Sequence, residues 1–386
     1  MNVAGLPRIA LALVGLLVVV VIAGVIVLRP DGSTDAELSD ALRAPTYQAE
    51  VAVVKVSPCP PPQQGNCTFV ATRLADGPDE GQTVSIPTGA PGAGPDLNPG
   101  DEVRLSDSGA AAREQGLPPY SFSDFERRSP MLWLLGLFAA IVIVFGRRRG
   151  ALALLGLASS IGVVLLFLIP AVLDGRPILP VALVASLAVM LLTLGLAHGV
   201  GPKSIAAALG TAVCLLLTAV LAIAFTKLAN LTGFSSEEAL ILQEASDQVS
   251  VQGLVIAGMI IAALGVLDDV TVSQASAVMA LRRADPALSF KPLYHEAIDV
   301  GRDHVAATVN TLMLAYVGAS LPIMLVFAVG DTPFADAVNK EAVSEAVIGT
   351  LVGSIGLIAA VPITTAAAAA LAIRMHQLPP HEAHAH

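Results

Sequence analysis

Charge is what this 386-residue chain has least of. Asp, Glu, Lys and Arg make up 13% of it, against about 25% in an ordinary soluble domain, which excludes a soluble globular fold along its whole length. Basic charge is scarcer than acidic, 21 residues against 31 for a net charge of −10, and that argues against a nucleic-acid partner. No histidine lies between residues 30 and 130, so that segment lacks the nitrogen donors that usually complete a zinc site. No Walker loop, nucleophile elbow, HExxH or dinucleotide fingerprint occurs. No nucleophile–base set marks an enzyme, and no cofactor or metal is expected.

What the chain does have is oil, 55% of its residues being hydrophobic. Residues 9–28 form a run without charge, long enough to cross the roughly 30 Å core of a bilayer. No small-x-small cleavage motif follows, so residues 1–29 read as a signal anchor rather than a removed signal peptide. After Pro130 the apolar runs come quickly, at 131–145, 151–169, 178–197, 204–225, 251–267 and beyond, 305–329 and 342–372. The expected fold class is therefore an all-α polytopic membrane bundle of about eight transmembrane helices, its membrane domain covering residues 129–373. A histidine-rich tail over 374–386 follows it; a disordered end explains that tail better than metal binding.

Residues 30–128 are different. They hold 15 acidic against 7 basic residues and Pro/Gly-rich loops such as SPCPPPQQGN. Short alternating runs at 47–56, 68–74, 83–86 and 102–105 predict a small β domain. Cys59 and Cys67 flank the proline-rich loop. An oxidising exterior would favour a disulfide between them, a loop closure contributing about 2–3 kcal/mol; two free thiols are the alternative. Lys and Arg gather in one set of short loops (Arg8, Arg147, Arg148, Arg149, Lys203, Arg282, Arg283, Lys291, Arg302, Arg374) and acids in the other. By the positive-inside tendency both termini are cytoplasmic and the β domain is extracytoplasmic.

Two polar stripes carry the candidate chemistry. In GVLDDVTVSQASAVMALRRADP, Asp268 and Asp269 end an apolar run, and Asp269, Ser273 and Ser276 share a helical face; Gln274 projects about 100° further round. In GRDHVAATVNTLMLAY, Asp303 and Asn310 share a face, with His304, Thr308 and Thr311 beside it. Both stripes start from the same side, so a polar or ion-binding site between the sixth and seventh spans is expected from these residues apart from Gln274. The competing reading has the carboxylates anchoring at the headgroup level and the amide and hydroxyls linking helices. A further segment, SSEEALILQEASDQV, predicts an amphipathic helix opened by a Ser235–Glu238 capping box.

The stretches LNPGDEVRL, YSFSDFERRSPMLWLLGLF, GRRRGALALLGL, FLIPAVLDGRPILP, ALGVLDDVTVSQASAV, GRDHVAATVNTLMLAYVGASLP and LVGSIGLIAAVPIT resemble the YibE/F-like family of bacterial multi-pass membrane proteins. Asp269 takes the place of the aspartate in that family's pattern, whereas Gln274 stands where the pattern has a small or aliphatic residue. The resemblance implies a bacterial cytoplasmic membrane protein and no defined activity. A looser similarity, in topology and one short pattern, extends to RND-type and SecD/SecF membrane domains. The expectation is a transport or permease-like protein whose partners are the lipid bilayer, a small solute or ion, and a second copy of itself. The alternative is a non-transporting envelope assembly protein whose outer β domain binds a protein partner.

Overall fold

The computed structural model describes residues 7–30, 45–59, 65–92, 94–115, 117–245, 249–330 and 332–375. Most of the expected histidine-rich tail lies outside them. The chain divides into two compact units, Glu37–Ile141 and a helical unit made of Met1–Ala36 with Val142–His386.

The smaller unit is built on β1 (Thr46–Pro58), β2 (Asn66–Leu74), β3 (Thr83–Pro87), β4 (Glu102–Asp107) and β5 (Tyr120–Phe125), in the order β3-β2-β1-β4-β5 and antiparallel throughout. Helix α1 (Arg8–Val27) precedes the sheet, and a short α2 (Gly109–Glu114) joins β4 to β5. The alternation in β1 turns Ala49 and Val51 into a core with Val70, Leu74, Ile86, Val103, Leu105 and Tyr120. A bulge between Val51 and Val53 bends the long β1, and the outer strands β3 and β5 approach each other. The sheet thus curls toward a barrel without closing its hydrogen-bond ladder. Cys59 and Cys67 are joined by a disulfide that ties the end of β1 to the start of β2.

Tyr120 is the largest side chain buried in this core. Its hydroxyl still reaches Asp79, 2.6 Å away. Burial, and then the neighbouring Asp79, push its pKa up to about 12. Nearby, Glu126 accepts a hydrogen bond from the Arg128 backbone N–H. That bond, seconded by the guanidinium groups of Arg128 and Arg104, holds its carboxyl below the ordinary range.

The larger unit is helical. Its elements are α3 (Arg128–Val163), which begins in the smaller unit, a π-helical turn (Val164–Leu168), α4 (Ile169–Leu173) and α5 (Ile178–Thr193). A second π turn (Leu194–His198) follows, then α6 (Pro202–Leu228), α7 (Glu237–Ala245), α8 (Val251–Ala284), α9 (Phe290–Val329), α10 (Phe334–Asn339) and α11 (Glu341–Arg374). Among the described residues, seven helices are long and apolar enough to cross a membrane.

That count is seven rather than the expected eight because residues 131–145 and 151–169 belong to one helical run, Arg128–Leu173. Its 46 residues, if straight, would extend about 69 Å, more than twice a bilayer core. The run is not straight. Arg147 adopts φ 50° and ψ −132°, and a side chain at Gly150 would strike the carbonyl oxygen of Val142. Residues eight apart lie about 12 Å apart along a straight helix, so the chain bends sharply at this arginine. Glycine at 150 is what lets the arms come so close.

Helices α6, α8 and α11 form the core, with α9 against α11 and α8, α5 against α8, and α1 against α5 and α6. Small residues set the spacing. An added methyl at Gly210 would overlap Thr364, one at Gly356 would overlap Thr218, and one at Gly24 would overlap Val184. Between membrane helices such close approach supplies dispersion contact where no hydrophobic force acts. The capping expectation shifts by one residue. The side chain that caps α7 is Ser236, whose hydroxyl accepts from the Ala239 N–H at 3.2 Å. Ser235 instead donates to Glu345 of α11 at 2.9 Å.

Candidate functional site

Asp268 lies on α8 one turn beyond the buried Leu264 and next to the fully buried Leu267. Its Oδ2 accepts the hydroxyl hydrogen of Thr193, at 3.1 Å, from the last residue of α5. The same hydroxyl lies 2.9 Å from the Val189 carbonyl and 3.0 Å from that of Met190. One hydrogen therefore faces three acceptors. The other carboxylate oxygen, Oδ1, is buried with no partner among the described residues. Buried polar atoms are rarely left so. Thr193 also opens into the π turn Leu194–His198, a helix irregularity often found at functional positions. The buried Gly156 of α3 completes the wall, since a methyl there would sit 3.7 Å from the Thr193 Cα.

A second polar link lies deeper. The hydroxyls of Thr271 on α8 and Thr211 on α6 meet at 2.7 Å, both fully buried. One turn on, Gln274 is 3% exposed. Its Nε2 donates to the Ala297 carbonyl of α9 and to the Thr365 hydroxyl of α11, each at 2.7 Å. Thr365 passes its own hydrogen to the Val361 carbonyl at 2.6 Å. The amide oxygen of Gln274 lies 2.8 Å from where a Gly301 side chain would begin. Gln274 therefore ties three helices at one level, and glycine at 301 makes the room. Pro362 on α11 sits beside this tie and interrupts that helix's backbone ladder.

The expected residues divide. Asp268 faces α5 and not the seventh expected span. Asp269 is exposed. Ser273 and Ser276 turn their hydroxyls back to the Val270 and Val272 carbonyls of their own helix, at 3.0 and 2.6 Å. On α9, Asp303, His304, Asn310 and Thr311 are exposed and Thr308 is half-buried. Thr308 and Thr311 likewise bond their own helix, at His304 and Ala307. The expected meeting of the Asp269 face with Asp303 and Asn310 is not formed. The contact between these two helices passes through Gln274 and Ala297 instead, because the α9 polar stripe lies on the helix's opposite side. Thr193, Thr211, Thr271, Gln274 and Thr365 were not among the expected site residues. The signal available was a lone amide, Gln274, in an otherwise apolar stretch, which a buried position obliges to find partners.

Long apolar helices closely packed through small residues, with a few buried polar ties, suggest a helical membrane protein as a class. Residues 134–374 match the family described as YibE/F-like protein. The chain belongs to that family, and the match runs from α3 to α11 without the β sheet. No curated protein and no solved structure matches the chain, so the looser likeness to RND-type membrane domains gains no support.

Proposed function

We propose that the protein is a permease-like transport protein whose helical unit takes up and releases a proton at Asp268. The observation that carries this reading is the unpartnered Oδ1 of that carboxylate, buried inside a helix apolar enough to span a membrane. Ionisable groups at such positions are expensive and mark ion or proton paths. Oδ1 is the open acceptor, and a proton delivered there balances the carboxylate charge while Oδ2 keeps its bond to Thr193. The site lies between α5 and α8, not between the spans first expected. The arginine-rich loops support placement in the cytoplasmic membrane of a bacterium, with both termini inside and residues 30–128 outside.

The test is proton flux into liposomes that contain the purified full chain and a trapped pH dye. Asp268→Asn removes the titrating group with little change of shape and abolishes flux on this account. Asp269→Asn and Asp303→Asn leave it near the unsubstituted rate. Flux that survives Asp268→Asn would reject the assignment.

One observation favours the second reading, an envelope protein that holds a partner. The smaller unit carries a cleft of about 650 Å³ lined by Gln48, Glu102, Glu126, Arg128 and Trp133. Under that reading, loss of residues 47–105 abolishes function and Asp268→Asn leaves it intact.

A further inference from the structure

Of the helices able to span a membrane, α9 is the one whose exposed side is polar where it should be apolar. None of its apolar stretch is buried, against 56% for α8. Helix α1 is almost as bare, at 11%, but it carries no polar side chain after Arg8, so lipid satisfies it. The spans hold three amide side chains, Gln252, Gln274 and Asn310. The first donates to the Leu231 carbonyl at 2.6 Å and the second is tied as described. Asn310 is exposed and has no partner among the described residues. A primary amide against lipid tails leaves two donors and an acceptor unsatisfied.

The residues around Asn310 are patterned. Asp303, Ala307, Asn310, Leu314, Val317 and Leu321 recur at alternating steps of four and three, the spacing of a coiled-coil seam. All six are exposed, Leu314 at 61%, Val317 at 41% and Leu321 at 51%. At 100° per residue this seam lies diametrically opposite the face that packs inward through Gly301, Val305, Val309 and Leu312. Its flanks are narrow, with Ala306 on one side and Thr311 and Gly318 on the other, so a second helix can approach closely.

We propose that this seam binds the α9 of a second copy of the same chain, in a parallel pair about a two-fold axis along the membrane normal. Two copies inserted the same way hold their α9 helices parallel, so each seam residue meets itself or its flank. An amide suits that arrangement, because it is donor and acceptor at once and pairs with its own copy. A lone Asn in such a seam fixes register. At the polar end, Asp303 of one copy comes beside the flanking His304 of the other, whose ring N–H can donate to the carboxylate. Arg302 does not compete, since it is paired with Asp299 of its own helix at 2.6 Å.

The test uses the full chain in membranes, with single cysteines along α9 and mild oxidation. Ala307→Cys, Asn310→Cys, Leu314→Cys and Val317→Cys give an adduct of twice the chain mass. Leu312→Cys and Val309→Cys, on the packed face, do not. Separately, energy transfer between labelled copies in vesicles reports the pairing equilibrium. Asn310→Leu weakens it between about 3- and 30-fold, the range of interhelical polar contacts in bilayers, and Asn310→Gln restores most of it. Cross-linking without the four-three period, adducts only with a protein of another mass, no energy transfer by the unsubstituted chain, or Asn310→Leu pairing as well as the original would each overturn the proposal.

Discussion

Helices α8 and α9 each run an amide through an apolar span, and the two amides are housed differently. Gln274 is buried and bonded to two other helices. Asn310 is exposed, and its Thr308 and Thr311 neighbours bond only their own backbone. Polarity within a span is thus not one signal. A tied amide sets the register of helices inside one chain, and an untied amide points to a partner outside it. Asp268 is a third case, half tied and half open, with Oδ2 bonded to Thr193 and Oδ1 buried without a partner among the described residues.

The comparison breaks first, and hardest, at the glycines. Gly210→Ala drives a methyl into Thr364 and should lower stability by about 2–3 kcal/mol, in the range for overpacked cores. Gly318→Ala, on the bare side of α9 with open space around it, should not destabilise the isolated chain and should raise its stability by up to about 1 kcal/mol, the helix penalty of glycine. Denaturant unfolding of the purified chain in detergent measures both. Equal losses would mean that α9 is as packed as α6.

The amides sharpen the same contrast. Gln274→Ala should destabilise the chain by about 1–3 kcal/mol, since it breaks the three-helix tie in a dry interior. Asn310→Ala should leave the isolated chain within about 0.5 kcal/mol while weakening self-association. If Gln274→Ala unfolds at the original midpoint, the tie is ornamental.

In the β sheet a similar tie joins a buried group, Tyr120, to a half-buried one, Asp79. Tyr120→Phe removes the bond to Asp79 and should lower the sheet's stability by about 1–2 kcal/mol, read by amide hydrogen exchange in β4 and β5. The pH dependence has a definite sign. The folded pKa of about 12 lies above the ordinary value of 10. The contribution is therefore complete below pH 10 and is lost as pH rises from 10 to 12. Tyr120→Phe should not show that loss.

The smallest effect belongs to the expected face of α8. Ser273→Ala and Ser276→Ala should each change stability by less than about 0.5 kcal/mol and leave flux unchanged. Their hydroxyls serve only their own helix.

Apolar runs longer than a bilayer core announced the helical unit without help from tertiary structure. Alternation in the same way announced β1 to β4. The fifth strand, Tyr120–Phe125, was missed although Tyr120 and Phe122 alternate with serines. It pairs with β4 across the intervening α2 and a Pro-containing turn, so its strand character comes from a partner and not from its own run. The RRRG stretch read as a loop between two spans. The break between the two helical arms is there, but it is made at one residue, Arg147, with positive φ, a local geometry that composition does not encode.

The site was half legible. Asp268 and the α9 stripe stood out as polar residues in apolar surroundings. The side each would face could not be read, because it depends on which helix lies next to which. Gln274 was set aside because the family pattern has a small residue there. Its fit depends on Gly301 of another helix, and that pairing is non-local.

The most direct measurement is the carbonyl stretch of protonated carboxyl groups, followed by infrared difference spectroscopy of the full chain in lipid as pH is changed. A band assigned to a carboxylic acid inside the protein should appear and should vanish in Asp268→Asn, while Asp269→Asn and Asp303→Asn retain it. A band that persists in Asp268→Asn, or none in the unsubstituted chain across the pH range over which flux is followed, would contradict the account.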